Sequence, residues 1–163
     1  MARRLIGSSP QLALALLLAA CSTTAVFAQD TPQEGFVVAL MSTSDRIDLL
    51  PGQAIIFVPD GGKMTFIRFV EGPMEPELGE LKLEFASQDG QSRLTATSKM
   101  DIAFNYRAEI VKESGAKKGK PTSVCTIMAG GGAFESWPVA IPVMRVMDFK
   151  PASDGNIGCS KGK

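Results

Sequence analysis

Between Asp101 and Glu113 the side chains alternate in character, residue by residue. Ile102, Phe104, Tyr106, Ala108 and Ile110 fall on one face, and Asp101, Asn105, Arg107 and Glu109 on the other. A helix would scatter these apolar positions around its axis, whereas a strand gathers them on one side of a sheet. Glu80–Phe85 repeats the pattern, and Ser92–Ser98 repeats it more weakly through Leu94 and Ala96. The expected sheet buries one face and leaves the other wet. Further apolar or alternating runs lie at Phe36–Met41, Arg46–Leu49, Ala54–Val58, Met64–Val70, Thr122–Met128 and Val143–Phe149. In all there are about nine short strands, parted by Gly and Pro turn signals such as Pro51-Gly52, Asp60-Gly61-Gly62, Gly72-Pro73 and Asp89-Gly90. Only Phe36–Leu50 is ambiguous, because Phe36, Leu40, Ile47 and Leu50 also fit one helix face. The expected fold is all-β, an immunoglobulin-like sandwich, with a small β-barrel as the alternative.

The first residues belong to a different kind of segment. Arg3 and Arg4 are followed by the apolar run Leu12–Ala20, about half the length that a membrane-spanning helix needs. A basic start, a short apolar core and small residues after it make up an export signal. Val26-Phe27-Ala28 before Gln29 supplies small residues for a signal peptidase, giving a leader over 1–28. The alternative cut follows Ala20: Leu18-Ala19-Ala20-Cys21 resembles the lipobox of bacterial lipoproteins. That resemblance implies a lipidated Cys21 as the first mature residue. Residues 29–35 read as a tether and 36–163 as a single β domain. No transmembrane helix is expected in the mature chain.

Of the three cysteines, Cys21 falls within the export signal. In an oxidising compartment, Cys125 and Cys159 most simply pair as a disulfide. No C-x-x-C motif marks them as a redox pair or a thiolate metal site. The chain has no histidine, which excludes Ser-His-Asp and Cys-His catalysis, His-ligated zinc and imidazole bases. Basic and acidic residues number 17 each. Either cut removes Arg3 and Arg4 and no acid, so the mature chain carries a net charge of about −2, too acidic for phosphate-driven nucleic-acid binding. No cofactor or metal is implied.

Two stretches carry candidate sites. Ser114–Pro121 reads as a long, mobile hairpin tip where Lys112, Lys117, Lys118 and Lys120 cluster. This basic patch either discourages edge pairing or docks on an acidic surface or anionic lipid. Its Gly115–Pro121 run resembles a phosphate loop, but the glycine spacing is one short and Pro121 replaces the magnesium-binding hydroxyl. Ser114-Gly115-Ala116-Lys117 matches S-x-x-K, yet lies in a Gly/Lys turn rather than at a helix start. In the second stretch, Met128–Pro142, Gly130, Gly131 and Gly132 precede Phe134 and the single tryptophan, Trp137. It reads as a binding loop with aromatic anchors for a glycan or a protein. Alternatively, Trp137 plugs the end of the sandwich while the glycines allow a crossover between sheets. Met144 and Met147 sit in an apolar run and read as core rather than copper ligands.

The expected function is an exported bacterial cell-envelope protein, periplasmic or lipid-anchored, acting as a non-enzymatic binding or bracing module. Its partner would be an envelope protein or a glycan. The alternative, drawn from the plentiful acidic residues, is a small exported carboxylate-dependent hydrolase or an inhibitor of such an enzyme.

Overall fold

The computed structural model describes residues 36–153 and 156–160, and among these described residues there are ten strands and no helix. The leader, both cut positions, Cys21 and the tether lie outside the described residues. In chain order the strands are β1 (Phe36–Ser44), β2 (Arg46–Leu49), β3 (Ala54–Asp60), β4 (Lys63–Glu71) and β5 (Leu81–Gln88). There follow β6 (Gln91–Ser98), β7 (Phe104–Val111), β8 (Lys120–Thr122), β9 (Gly132–Trp137) and β10 (Val143–Pro151). They form a six-stranded sheet in the order β1-β4-β3-β5-β6-β9 and a four-stranded sheet in the order β2-β10-β7-β8. Every strand pairing is antiparallel, and the sheets do not close on each other, so the fold is sandwich-like and the barrel alternative is not realised. The stretch that also fitted a helix is two strands, β1 and β2, one in each sheet.

The inner faces supply the core. Ile55, Phe57, Ile67, Leu81, Leu83, Phe85 and Leu94 from the larger sheet share one buried cluster with Leu49, Tyr106, Met144, Val146 and Phe149 from the smaller. Phe149 stands edge-on to Phe57 with ring centroids 4.8 Å apart, and stacks on Tyr106 at 5.3 Å. Both geometries suit the aromatic quadrupole.

The expected alternation holds on the inside but not on the outside. Both outer faces are partly covered. On the larger sheet, Ala54, Ile56 and Val70 form a second buried cluster with Met74, from the segment after β4. Arg68 holds that segment through paired bonds of 2.6 and 2.7 Å to Glu80. On the smaller sheet, Asp48, Arg145 and Glu109 lie side by side across β2, β10 and β7. Arg145 is only 1% exposed, because the 112–119 segment folds back over it. That segment was expected to be a mobile tip. Instead, the Gly115 N–H donates to Asp48 at 2.7 Å, and Arg145 Nη2 donates to the Ala116 carbonyl at 2.6 Å. Gly119 is required here, since a Cβ would lie 2.7 Å from Glu109 and Val111.

Two boundaries differ from expectation. The Thr122–Met128 strand ends at Thr122. The chain then crosses to the other sheet, meeting β7 through a bridge between Ile127 and Phe104 and through the Thr126 hydroxyl, which donates to Asn105 Oδ1 at 2.6 Å. In the candidate binding loop, Gly132, Phe134 and Trp137 belong to edge strand β9. Only Gly130 and Gly131 remain in the turn before it.

Candidate functional site

Beyond the buried Lys82, the outer face of β5, β6 and β9 around Glu84, Ala86, Arg93 and Thr95 has no covering segment among the described residues. Its shape begins with the Asp89-Gly90 turn. Both residues are left-handed, with φ of 53° and 74°, the twist that a two-residue hairpin needs. From this turn the register is regular: Glu84 opposes Thr95 and Ala86 opposes Arg93. Alternation sends Phe85, Leu94 and Ala96 into the core and leaves Glu84, Ala86, Arg93 and Thr95 outside. β9 then adds an edge, with Phe134 opposite Thr95 and Ser136 opposite Arg93.

Phe134 is 61% exposed on this face. It borders a cleft of about 280 Å³ lined by Gly52, Glu84, Phe85, Ala86, Arg93 and Thr95. A second hollow of about 330 Å³, lined by Ala86, Gln88, Asp89, Gln91 and Arg93, shares Ala86 and Arg93 with the first. The two therefore abut along one polar track with a single aromatic at one end. An aromatic surface beside a carboxylate, a guanidinium and amides can stack on a sugar or peptide and bond to its polar edge.

The structure brings only part of the predicted constellation to this face. Gly132 acts as a spacer rather than a hinge: a Cβ there would lie 2.1 Å from the Ala96 carbonyl oxygen, so the β6–β9 approach requires glycine. Trp137 points the other way. It is half-buried against the core, and its Nε1 donates to Thr122 Oγ1 at 2.8 Å. The chain crosses between the sheets just before β9. Phe134 alone remains as an aromatic anchor. Lys112, Lys117 and Lys118 are exposed along the segment over the smaller sheet and Lys120 is exposed at the start of β8, all away from the Phe134 cleft.

Cys125 and Cys159 meet in an isolated bridge with their sulfurs at disulfide distance. They border a cleft of about 280 Å³ with Asn105, Tyr106, Val124 and residues 156–160. The Glu135 carboxylate accepts the Cys125 N–H, and burial still raises its pKa above the ordinary value. Tyr106 is buried beside it, and its hydroxyl has no hydrogen-bond partner among the described residues. Burial, with the nearby Glu135 charge, pushes the phenol far above its ordinary pKa, so it stays neutral at any physiological pH.

The paired arginines Arg145, which is buried, and Arg68, which is half-buried, were not read from the sequence. Arg145 looks like a stray charge in an apolar run, yet it bonds Asp48 at 2.7 and 3.0 Å. Burial pushes the Asp48 carboxyl up, but bonds from Arg145 and the Gly115 N–H outweigh it and hold the group below the usual range. The Arg68 bond does the same for Glu80 against its own burial. The available signal was a run, Val143–Val146, without the polar alternation that an open face requires.

No protein-family model, curated protein or solved structure matches the chain.

Proposed function

We propose that this is an exported bacterial cell-envelope protein, periplasmic or lipid-anchored, that works as a non-enzymatic binding module. The observation that carries the reading is Phe134, exposed on edge strand β9 at the end of the polar track through Glu84, Arg93 and Gln88. What supports the reading is the setting of the ring, since an exposed aromatic at the end of a cleft with hydrogen-bonding groups can stack on a ligand while those groups bond its polar edge. The export pattern of the first residues supports the location. The occupant is an envelope protein or a glycan. At the level of architecture we also propose an immunoglobulin-like relationship, supported by two packed antiparallel sheets. Its hairpins β3–β4, β5–β6 and β7–β8 each stay within one sheet, an arrangement of its own.

The test is a photoreactive phenylalanine analogue at position 134, activated in intact cells. Defined adducts that disappear when Arg93→Ala is added are expected. An adduct pattern identical to that of the same analogue at position 117, or no adduct, overturns the reading.

A further inference from the structure

The sandwich has four sheet edges, and three of them are guarded. β8 is only 3 residues long and contains Lys120 and Pro121. β2 has 4 residues, two of them the charged Arg46 and Asp48. β9 carries Glu135, is followed by Pro138, and is tied to the neighbouring crossover through Glu135 and Trp137. These are the usual means of keeping an edge from pairing with other chains.

β1 has none of them along most of its length. It runs for 9 residues, FVVALMSTS, without a charge or a proline. Its only irregularity is a register shift between Val37 and Ala39, which leaves Ala39–Ser44 as regular strand. Its central apolar side chains are in water, Leu40 at 72% and Met41 at 42% exposure. Leu40 stands opposite Arg68 on the outer face, and Met41 opposite Ile67 on the inner face. Among the described residues nothing pairs with the outer side of β1, so its backbone groups and the apolar side chains on both faces lie along the same edge.

We propose that this edge pairs with β1 of a second copy, antiparallel about a two-fold axis. Self-pairing suits it because an uncharged strand meets no like charge when it faces itself. A two-fold axis normal to the sheet keeps each side chain on its own face, so every residue must oppose one of the same parity. Such a register is centred on a residue. Centring on Met41 pairs the regular segment most fully. Met41 then meets its own copy on the inner face, Ala39 opposes Thr43, and Leu40 opposes Ser42 on the outer face, with the second Leu40 diagonal to the first. The two six-stranded sheets become one continuous sheet. Main-chain pairing over so short an edge gives a modest interface, with a dissociation constant of about micromolar or weaker. Attachment to one membrane would raise the effective concentration of the two copies.

The full chain, expressed with its leader and purified as the host processes it, should sediment as a monomer–dimer equilibrium reaching mostly dimer by about 300 µM. Leu40→Lys, at a site open enough to keep the fold, should weaken that dimer at least about tenfold by placing charges across the axis. Phe134→Lys on the opposite edge should leave it unchanged. Met41→Cys should form an intermolecular disulfide in intact cells under mild oxidation, whereas the same change at Phe134 should not. Three results would overturn the proposal: a monomer at every concentration, which would mean that the chain's own preceding segment covers the edge; a Met41→Cys adduct formed only with another protein; or a dimer that is indifferent to Leu40→Lys.

Discussion

Removing the carboxylate of Asp48 should be the most costly single charge change on the outer face of the smaller sheet. Arg145 is 2% exposed at its side chain and has its two short bonds to Asp48 Oδ1 and Oδ2. Asp48→Ala leaves that guanidinium in place with the Ala116 carbonyl and with Glu109, whose Oε2 lies 3.7 Å away. Breaking a buried pair from one side typically costs about 3–5 kcal/mol, because a charge is left without compensation. Glu109 offsets part of the loss, so the expected cost is about 3 kcal/mol, read from urea unfolding at pH 7. The Gly115 N–H also loses its acceptor, and its hydrogen exchange should speed up with little change at Tyr106.

The sign of the pH dependence follows from the lowered Asp48 pKa. A carboxyl depressed by folding contributes stability above its unfolded pKa, and that contribution disappears as pH falls through the folded value. The wild-type chain should therefore lose more stability on acidification from neutral pH than Asp48→Ala does. The difference should grow below the ordinary carboxylate range. Adding Arg145→Met to Asp48→Ala should recover most of the loss, since an apolar pair of similar volume carries no desolvation debt. A cost below about 1 kcal/mol for Asp48→Ala, or a double variant no more stable than the single one, would refute the reasoning.

Gly132→Ala should destabilise by about 2–3 kcal/mol in thermal unfolding, because its Cβ would collide with a backbone carbonyl that has no room to move. Gly131→Ala, whose nearest contact would be 3.7 Å away, should change stability by less than about 0.5 kcal/mol. Opening the Cys125–Cys159 pair, 34 residues apart, should lower stability by about 4 kcal/mol on loop entropy, measured as the shift in urea midpoint with reductant. Thiols that alkylate freely in the native protein would contradict it. Thr122→Val should cost about 1 kcal/mol and alter Trp137 emission, since the indole N–H loses its acceptor.

The inward face of the sandwich was legible because period two is a local property. Phe85, Leu94, Tyr106 and Ala108 announce their orientation through their own neighbours, and all four are buried. Edge strand β9 was not legible. Gly132 is there because β6 approaches closely, and that approach depends on a residue 36 positions upstream. Three glycines before a Trp-Pro pair read as a loop in any local window. Ile102, which opens the most regular alternation, lies outside β7 and is exposed, because the ladder with β10 ends at Phe104. The site fared similarly. Phe134 was picked out as a rare aromatic, but its companions Glu84 and Arg93 come from other strands and become neighbours only through register.

Two paired arginines, Arg145 buried and Arg68 half-buried, explain where the open surfaces lie. Arg68 and Arg145 each rise from a sheet's outer face and hold a Gly-containing segment over it, one through Glu80 and the other through Asp48 and Ala116. Each clamp joins a cation to acceptors on a neighbouring strand or loop, so the cover is fixed without adding a strand. Covering these faces allows Ile56, Val70, Val111 and Val143 to be apolar on the outside of the sandwich. Neither clamp extends over the Phe134 face or the free edge of β1. Other apolar side chains are also in water, Phe66 at 68% and Leu78 at 91% exposure, but Phe134 stands beside the polar track and Leu40 on the β1 edge, and we assign contact to those two. If that inference holds, Phe134→Ser and Leu40→Ser should each leave unfolding within about 0.5 kcal/mol of wild type, because neither ring nor isobutyl group supports the core. Each should separately abolish one association. A loss of several kcal/mol at either site would instead make that residue part of the packed interior.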